Sequence, residues 1–428
     1  MTLASAPLRI VMLAEGLTTG IGGIAIHASE LGQALIRRGH TVVLISPEQF
    51  IGRHVMTRWR ARQAGCPTSP STYAWELPIV WTPRHMLKPM QIEWRWKPWL
   101  RRLVQKTNTD VVHWHGLDFD SAVTRPVPPQ CVGVFTNHSS QFLAMAQVDP
   151  AGAVRSFRHA DRIIAPSQQL AEQTIAGGVS AHLVHLIPNG VDTYRFRPNR
   201  EARERFRANH AIPPDAIVTI AARRFVEKNG LVYLAKAAVR LESLLKRSIV
   251  LCLAGDGEGS DAAYAQHVRT ICGALDRLVD VRWLGWISTL EMPDALAAAD
   301  IAVLPSLVEA TSLAGLEAMA SGCSLLATRV GGIPELIDDQ VSGRLVRPAD
   351  DEALAIAWAT LIHDPTTRQR LAATARTKVE RLFSWDRIAA HTEQVYQLAL
   401  NRSLVRNRVE THHAPLDVTN PPSWRTSS

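Results

Sequence analysis

The sequence predicts an α/β protein of two doubly wound domains, each a parallel sheet with helices on both faces. Three observations predict it. Short apolar runs alternate with helical stretches along most of the chain, as expected of βαβ units around buried parallel strands. The pattern begins afresh near residue 216, and 428 residues exceed one ordinary domain. Polar and glycine-bearing loops follow several of the apolar runs, at the carboxyl ends of strands where open sheets gather ligands.

In order, residues 8–13 form the first strand and 18–23 (Thr-Thr-Gly-Ile-Gly-Gly) a loop. Residues 26–38 form a helix stopped by Gly39, and 41–45 the second strand. Gly22 and Gly23 let a phosphate or sugar approach the backbone, or only permit the turn. The loop is neither GxGxxG nor GxxxxGK[ST], so no dinucleotide or Walker site is supported. Residues 110–116 and 131–136 are further strands ending in polar groups, which brings His113, His115 and His138 to the sheet's carboxyl edge. His113 and His115 share a side, with Asp118 or Asp120 imaginable as a third metal ligand. Buried imidazoles bonded to backbone explain them as well, and the spacing matches no metal motif. No metal site is assigned.

Asn189-Gly190 is a turn, and the charged, proline-flanked run 197–214 reads as linker plus surface helix. Strands of the second domain fall at 216–221, 249–253, 280–284, 300–304 and 324–327. Residues 330–335 and 342–343 are loops, 351–383 a helix and 385–401 the terminal helix. The domains are 1–198 and 199–382, the terminal helix is placed at 383–401, and 402–428 reads as a disordered tail.

Composition limits the function classes. No apolar run approaches the roughly 18 residues of a spanning helix, and residues 1–8 lack the basic start and apolar core of a signal peptide. The five cysteines are scattered, with no CxxC pair, which fits a reducing compartment. A cytoplasmic location follows as an expectation. The net charge of +8 is concentrated: residues 51–106 hold eleven Lys/Arg against Glu76 and Glu93, and six of the twelve Trp. Trp with Arg suits a membrane interface or an anionic acceptor, and equally a solvated cationic face over buried Trp; both readings stand. No nucleic-acid motif accompanies the segment, so nucleic acid is not expected.

Chemistry concentrates in the stretch PSLVEATSLAGLEAMASG, residues 305–322. A strand at 300–304 enters a loop carrying Glu309, and a helix at 313–320 carries Glu317 on its second turn. Thr311 or Ser312 is available as its N-cap and Gly322 as its left-handed stop. Backbone N–H groups and a helix N-terminus aimed at one spot suit a diphosphate. Two carboxylates flanking that spot can accept hydrogen bonds from sugar hydroxyls. After the strand at 216–221, Arg223 and Lys228 could neutralise a diphosphate, or lie exposed as basic loop residues usually do.

The Glu-x7-Glu stretch resembles the signature of retaining glycosyltransferases of family four. Resemblance extends over residues 8–400 through ordered blocks: VFTNHSS ending the strand at 131–136, Ala160–Ser167, Leu186–Pro198, Arg223 with Lys228, and Ala254-Gly255-Asp256-Gly257. It implies the GT-B architecture, two facing Rossmann-like domains with the active site in the cleft, and transfer of a hexose-type sugar from a nucleotide-diphosphate donor. A UDP-sugar is favoured, with GDP-mannose as the other donor, and the acceptor is a saccharide or a lipid-linked one. It implies catalytic roles for Arg223, Lys228, Glu309 and His138, with Glu309 orienting the sugar. Donor contacts would come from Gly22, Gly23, Gly255, Ser312, Leu313 and Glu317, the last on the ribose. It implies no cofactor and no metal, and no DxD motif is present. Many members have Gly-Phe-Gly where this chain has Ala310-Thr311-Ser312, so side chains are expected to crowd the sugar pocket. Asn229, between Lys228 and Gly230, is expected to shift its loop. A GT-B epimerase or phosphorylase, or a catalytically silent sugar-nucleotide binder, remain the alternatives.

If the basic Trp segment docks on membranes, the protein should float with anionic liposomes at low salt and be released as ionic strength rises. Failure to float at low salt dismisses the membrane reading.

Overall fold

A computed structural model describes residues 6–14, 17, 22–45, 100–115, 131–255 and 260–412, with side chains through 401. The expectations for residues 46–99, for Asp118, Asp120 and Asp256-Gly257, and for 413–428 lie outside the described residues.

Two six-stranded parallel sheets organise the chain. The first comprises β1 (Arg9–Ala14), β2 (Thr41–Ile45), β3 (Val111–His115), β4 (Val132–Thr136), β5 (Arg162–Ala165) and β6 (Val184–Leu186), in the order β2-β1-β3-β4-β5-β6. The second comprises β7 (Ile217–Ala222), β8 (Ile249–Ala254), β9 (Val279–Gly285), β10 (Ile301–Leu304), β11 (Ser324–Thr328) and β12 (Arg344–Val346), in the order β12-β11-β10-β7-β8-β9. Strands β3, β4, β8, β10 and β11 are buried at every residue. Helices cover both of their faces, which is why they read as continuous apolar runs. Each sheet reverses its winding once, between β1 and β3 and between β7 and β10, and such reversals open crevices at the strands' carboxyl ends.

Four apolar clusters fill the two domains, one on each face of each sheet. Ile187 still packs with the first domain, whereas Val191 and Phe196 belong to the second domain's core. The chain therefore changes cores ahead of Pro198. Asp300 braces the second domain at the start of β10. Its carboxylate accepts from the Val218 amide at 2.8 Å and from Arg203 and Arg207 at 2.8 and 3.1 Å, tying the helix Arg200–Asn209 to the sheet.

Several expectations need correction. The helix expected over 351–383 is two helices, Asp351–His363 and Pro365–Leu382. Asp364 caps the second by accepting from the Thr367 amide at 2.9 Å, and Pro365 starts it. The terminal helix runs Trp385–His412 rather than ending at 401, because nothing between 402 and 412 breaks a helix before Pro415. Strands β5, β6 and β12 were not expected; at three or four residues each they are too short for an alternation signal.

The terminal helix crosses back to the first domain, where Trp385, Ile388, Ala389, Val395, Tyr396 and Ala399 join the core beneath β1, β3 and β4. Among the described residues no helix is long and apolar enough to cross a membrane. Trp385 is 4% exposed and lies against Gly190, where an added Cβ would come within 2.5 Å of its ring. Trp385→Ala should cost about 3–5 kcal/mol in urea denaturation. A cost below about 1 kcal/mol, the level of a surface substitution, would show that the crossing helix does not hold the first domain together.

Candidate active site

Both sheet reversals open onto one cleft of about 740 Å³, lined by residues of both domains. From the second domain, β7 ends at Ala222, and the Arg223 amide still donates to the Ala254 carbonyl at 2.8 Å, which fixes where the side chain begins. The Arg223 guanidinium reaches Asn229 Oδ1 at 2.9 Å and Ser306 Oγ at 3.1 Å, and pairs with the Glu309 carboxylate. Each member of that ion pair keeps 13% of its side-chain surface exposed, so both face the cleft from a largely dry position.

The loops that hold them are pressed together. Asn229 Nδ2 donates to the Arg224 carbonyl at 2.8 Å, and the Leu307 amide donates to the Lys228 carbonyl at 2.8 Å. Asn229 ties that loop to the end of β7. Gly230 has φ +68°, and a Cβ there would sit 1.9 Å from the Pro305 carbonyl oxygen; only glycine permits this approach. Gly255 lines the cleft with φ +107°, and its Cβ would meet the Arg223 carbonyl at 2.5 Å. Lys228 reaches across the cleft and donates from Nζ to Ser140 Oγ at 2.9 Å. Burial lowers its pKa, with Arg224 and Arg223 adding to the fall and Glu309 opposing it.

Leu313 and Glu317 project into the cleft from the helix Leu313–Ala320, capped by Ser312, whose hydroxyl accepts from the Gly315 amide at 3.1 Å. Ser312 is 1% exposed and is absent from the lining. Ala310 is buried against the first domain's core. Of the three residues expected to crowd the pocket, Ala310 and Thr311 line the cleft, whereas the hydroxyl of Ser312 turns back into its own helix. Gly22 and Gly23 enter from the first domain, and a Cβ on Gly23 would lie 3.6 Å from Leu313 Cδ1. His138 follows β4 and opens on the cleft. Burial, and then His27 and His113, hold its pKa well below the ordinary imidazole value.

Residues not singled out from the sequence complete the lining. Glu30, on the helix Gly23–Arg37, lies 3.7 Å from Arg195 Nη1, and Arg195 also donates to the Thr289 carbonyl. Burial raises the pKa of Glu30, and Asp192 adds to the rise. Trp286, 44% exposed, stands at the rim beside Gly255 and Met292. The only signal for Glu30 was a polar residue three positions after His27 on an amphipathic helix. His113 and His115 do share a side, their ring centroids 4.0 Å apart, and His113 is bonded to Tyr396 and Thr136, each at 2.7 Å.

Burial pushes the Glu317 carboxyl up to about 7, with Arg195 opposing and Glu30 adding to the rise. An acid whose folded-state pKa exceeds its unfolded value binds more protons when folded, so stability falls as pH rises from about 4.5 to about 7. Glu317→Gln removes that loss. Its stability gain over wild type should grow through this window and then level off, at no more than about 3 kcal/mol. Thermal melts at pH 5 and pH 8 showing one constant difference would refute this.

Comparison with known proteins agrees with this geometry. The Glycosyltransferase Family 4 profile matches residues 21–195, and the Glycosyl transferases group 1 profile matches residues 202–378. An uncharacterized glycosyltransferase of Methanocaldococcus jannaschii is 24% identical over 89% of this chain and 95% of its own. The alpha-maltose-1-phosphate synthase of Mycobacterium tuberculosis is 33% identical over 50% of this chain, which spans 57% of the synthase. Among solved structures, the sucrose-phosphate synthase of Thermosynechococcus elongatus superposes with a TM-score of 0.70 at 22% identity, over 92% of this chain and 100% of that one. A family 4 domain and a group 1 domain, facing each other across a shared cleft, place the chain among the glycosyltransferases of GT-B type.

Proposed function

We propose that the protein is a retaining, metal-independent hexosyltransferase that moves a sugar from a nucleotide-diphosphate donor, a UDP-sugar before GDP-mannose, to a saccharide or lipid-linked acceptor. The observation that carries this reading is the convergence of Arg223, Lys228, Glu309, Glu317 and Leu313 on one cleft, with His138, Gly22 and Gly23 opposite. The chemical task is to stabilise a departing diphosphate beside an oxocarbenium-like sugar. Arg223 and Lys228, with N–H groups at the start of the helix Leu313–Ala320, supply fixed positive charge where the negative charge grows. Preorganised charge of this kind usually contributes more to a rate enhancement than any other single effect.

Lys228 fits the task as a compact cation at the mouth of the cleft, where burial makes it a proton donor of more than ordinary strength. Glu309 orients the sugar hydroxyls, and Glu317, with Glu30 and Arg195 near it, accepts from the ribose. A carboxyl titrating at about 7 both donates and accepts near neutrality, which suits a diol. His138 lies by the sugar, and the leaving phosphate takes the acceptor's proton on the same face.

A panel of nucleotide sugars scored for released nucleotide diphosphate tests the reading. Glu309→Ala and Arg223→Ala should each lower turnover by about 10²–10³-fold, the loss seen when a preorganised charge-stabilising group is removed. Wild-type circular dichroism should be retained. Normal turnover with either variant removes the site assignment, and donor binding without diphosphate release would make the protein a silent binder.

A further inference from the structure

Three histidines at the carboxyl edge of the first sheet form a cluster of which the transfer chemistry uses only one. His27 comes from the helix Gly23–Arg37, His115 from the last position of β3, and His138 from the loop after β4. One ligand nitrogen from each lies within 4.8 Å of the other two. His115 Nδ1 and His138 Nε2 are 3.3 Å apart. Two nitrogens bound at about 2.0–2.1 Å to a tetrahedral zinc ion stand about 3.3–3.4 Å from each other.

The surroundings are those of a ligand set. His27 Nδ1 is 2.9 Å from Asn189 Oδ1, an acceptor, so Nδ1 carries the hydrogen and Nε2 the lone pair. His115 is fully buried, and its Nε2 has no hydrogen-bond partner among the described residues. Nδ1 of the same ring is the nitrogen that faces His138 and is the ligand atom here, so Nε2 is left to carry the ring's hydrogen. His113 stands behind the cluster with both nitrogens engaged by Tyr396 and Thr136, and fills the space without competing for an ion. Because His138 opens on the cleft, a fourth position faces the substrate side, the pattern of three protein ligands and one exchangeable site.

We propose that His27, His115 and His138 form a three-imidazole site for a divalent transition ion of the zinc class, and that its occupation inhibits sugar transfer. Imidazole ligands favour zinc, cobalt, nickel and copper over magnesium and calcium, which take oxygen. The bound ion would engage the lone pair of His138 and bring its own charge and water into the space beside the donor sugar. The inhibitory part rests on the transfer reaction proposed above; the binding part does not.

The test uses the full chain stripped with a chelator and titrated with Co²⁺ as a spectroscopic probe of the zinc site. Expected is one Co²⁺ per chain with the visible absorption of a tetrahedral ion, displaced by Zn²⁺ and unaffected by Mg²⁺. His115→Asn should weaken binding at least about tenfold, and Asn189→Ala by about 10–100-fold, the usual effect of losing a ligand's orienting partner. Asn189→Ala keeps all three imidazoles, so it tests the site even if His115→Asn fails to fold. No tetrahedral spectrum, or unchanged affinity in both variants, overturns the site. Zn²⁺ should lower donor turnover in wild type, and lower it less in His115→Asn at equal free Zn²⁺. Binding with unchanged turnover overturns the inhibitory role. A chain that turns over no donor yet shows the Co²⁺ spectrum would instead refute the transferase reading.

Discussion

The shared guanidinium of Arg223 is the constraint on which the cleft depends. It joins two loops, its own through Asn229 and the next through Ser306 and Glu309, and those loops leave the two strands, β7 and β10, that flank the sheet's reversal. The glycines at 230 and 255 exist to let backbone approach backbone around it. An arriving diphosphate would compete with the Glu309 carboxylate for this one cation. Exchange of one anion for another preserves the pairing of a partly buried charge, which is far less costly than leaving it alone.

The opposite wall is held by fewer contacts. Lys228 bonds Ser140, Arg195 lies near Glu30, and the Gln168 amide donates to Glu335 at 2.7 Å. These are polar links between domains, with Ala310 as an apolar one. Polar interfaces of this kind are consistent with domains that move relative to one another. Two of the three polar links use cleft-lining side chains, so whatever binds Lys228 or the Arg195 region also changes what joins the domains.

Much of this arrangement was legible in the sequence, for reasons that differ by residue. Arg223, Lys228 and Glu309 follow strands whose apolar runs are unmistakable, and a parallel sheet leaves its strand-end loops in one place. Glu317 and Leu313 were legible because an N-cap fixes the first turn of a helix. His27 and Glu30 were not, since a polar residue near the start of an amphipathic helix looks solvated until its packing partner is known. The histidines show the same limit. Strand alternation puts His113 and His115 on one side, where their rings lie 4.0 Å apart, but it does not show that Tyr396, 283 residues further on, bonds His113, or that a helix near the amino terminus adds His27. Ser312 was legible as the N-cap, and its hydroxyl is spent on the Gly315 amide rather than turned into the cleft. The terminal helix outran its expected end because composition was weighed above the absence of a breaking residue.

The return of the helix beginning at Trp385 has a consequence for how the molecule comes into being. The first domain lacks part of one core face until residues 385–399 have been made, so on the ribosome it waits until the second domain has been translated, while the second domain can close earlier. Such long-range completion slows folding and leaves apolar strands uncovered in the interval. The amino-terminal half is therefore the portion of the nascent chain most in need of chaperone protection, although it is the first to be translated.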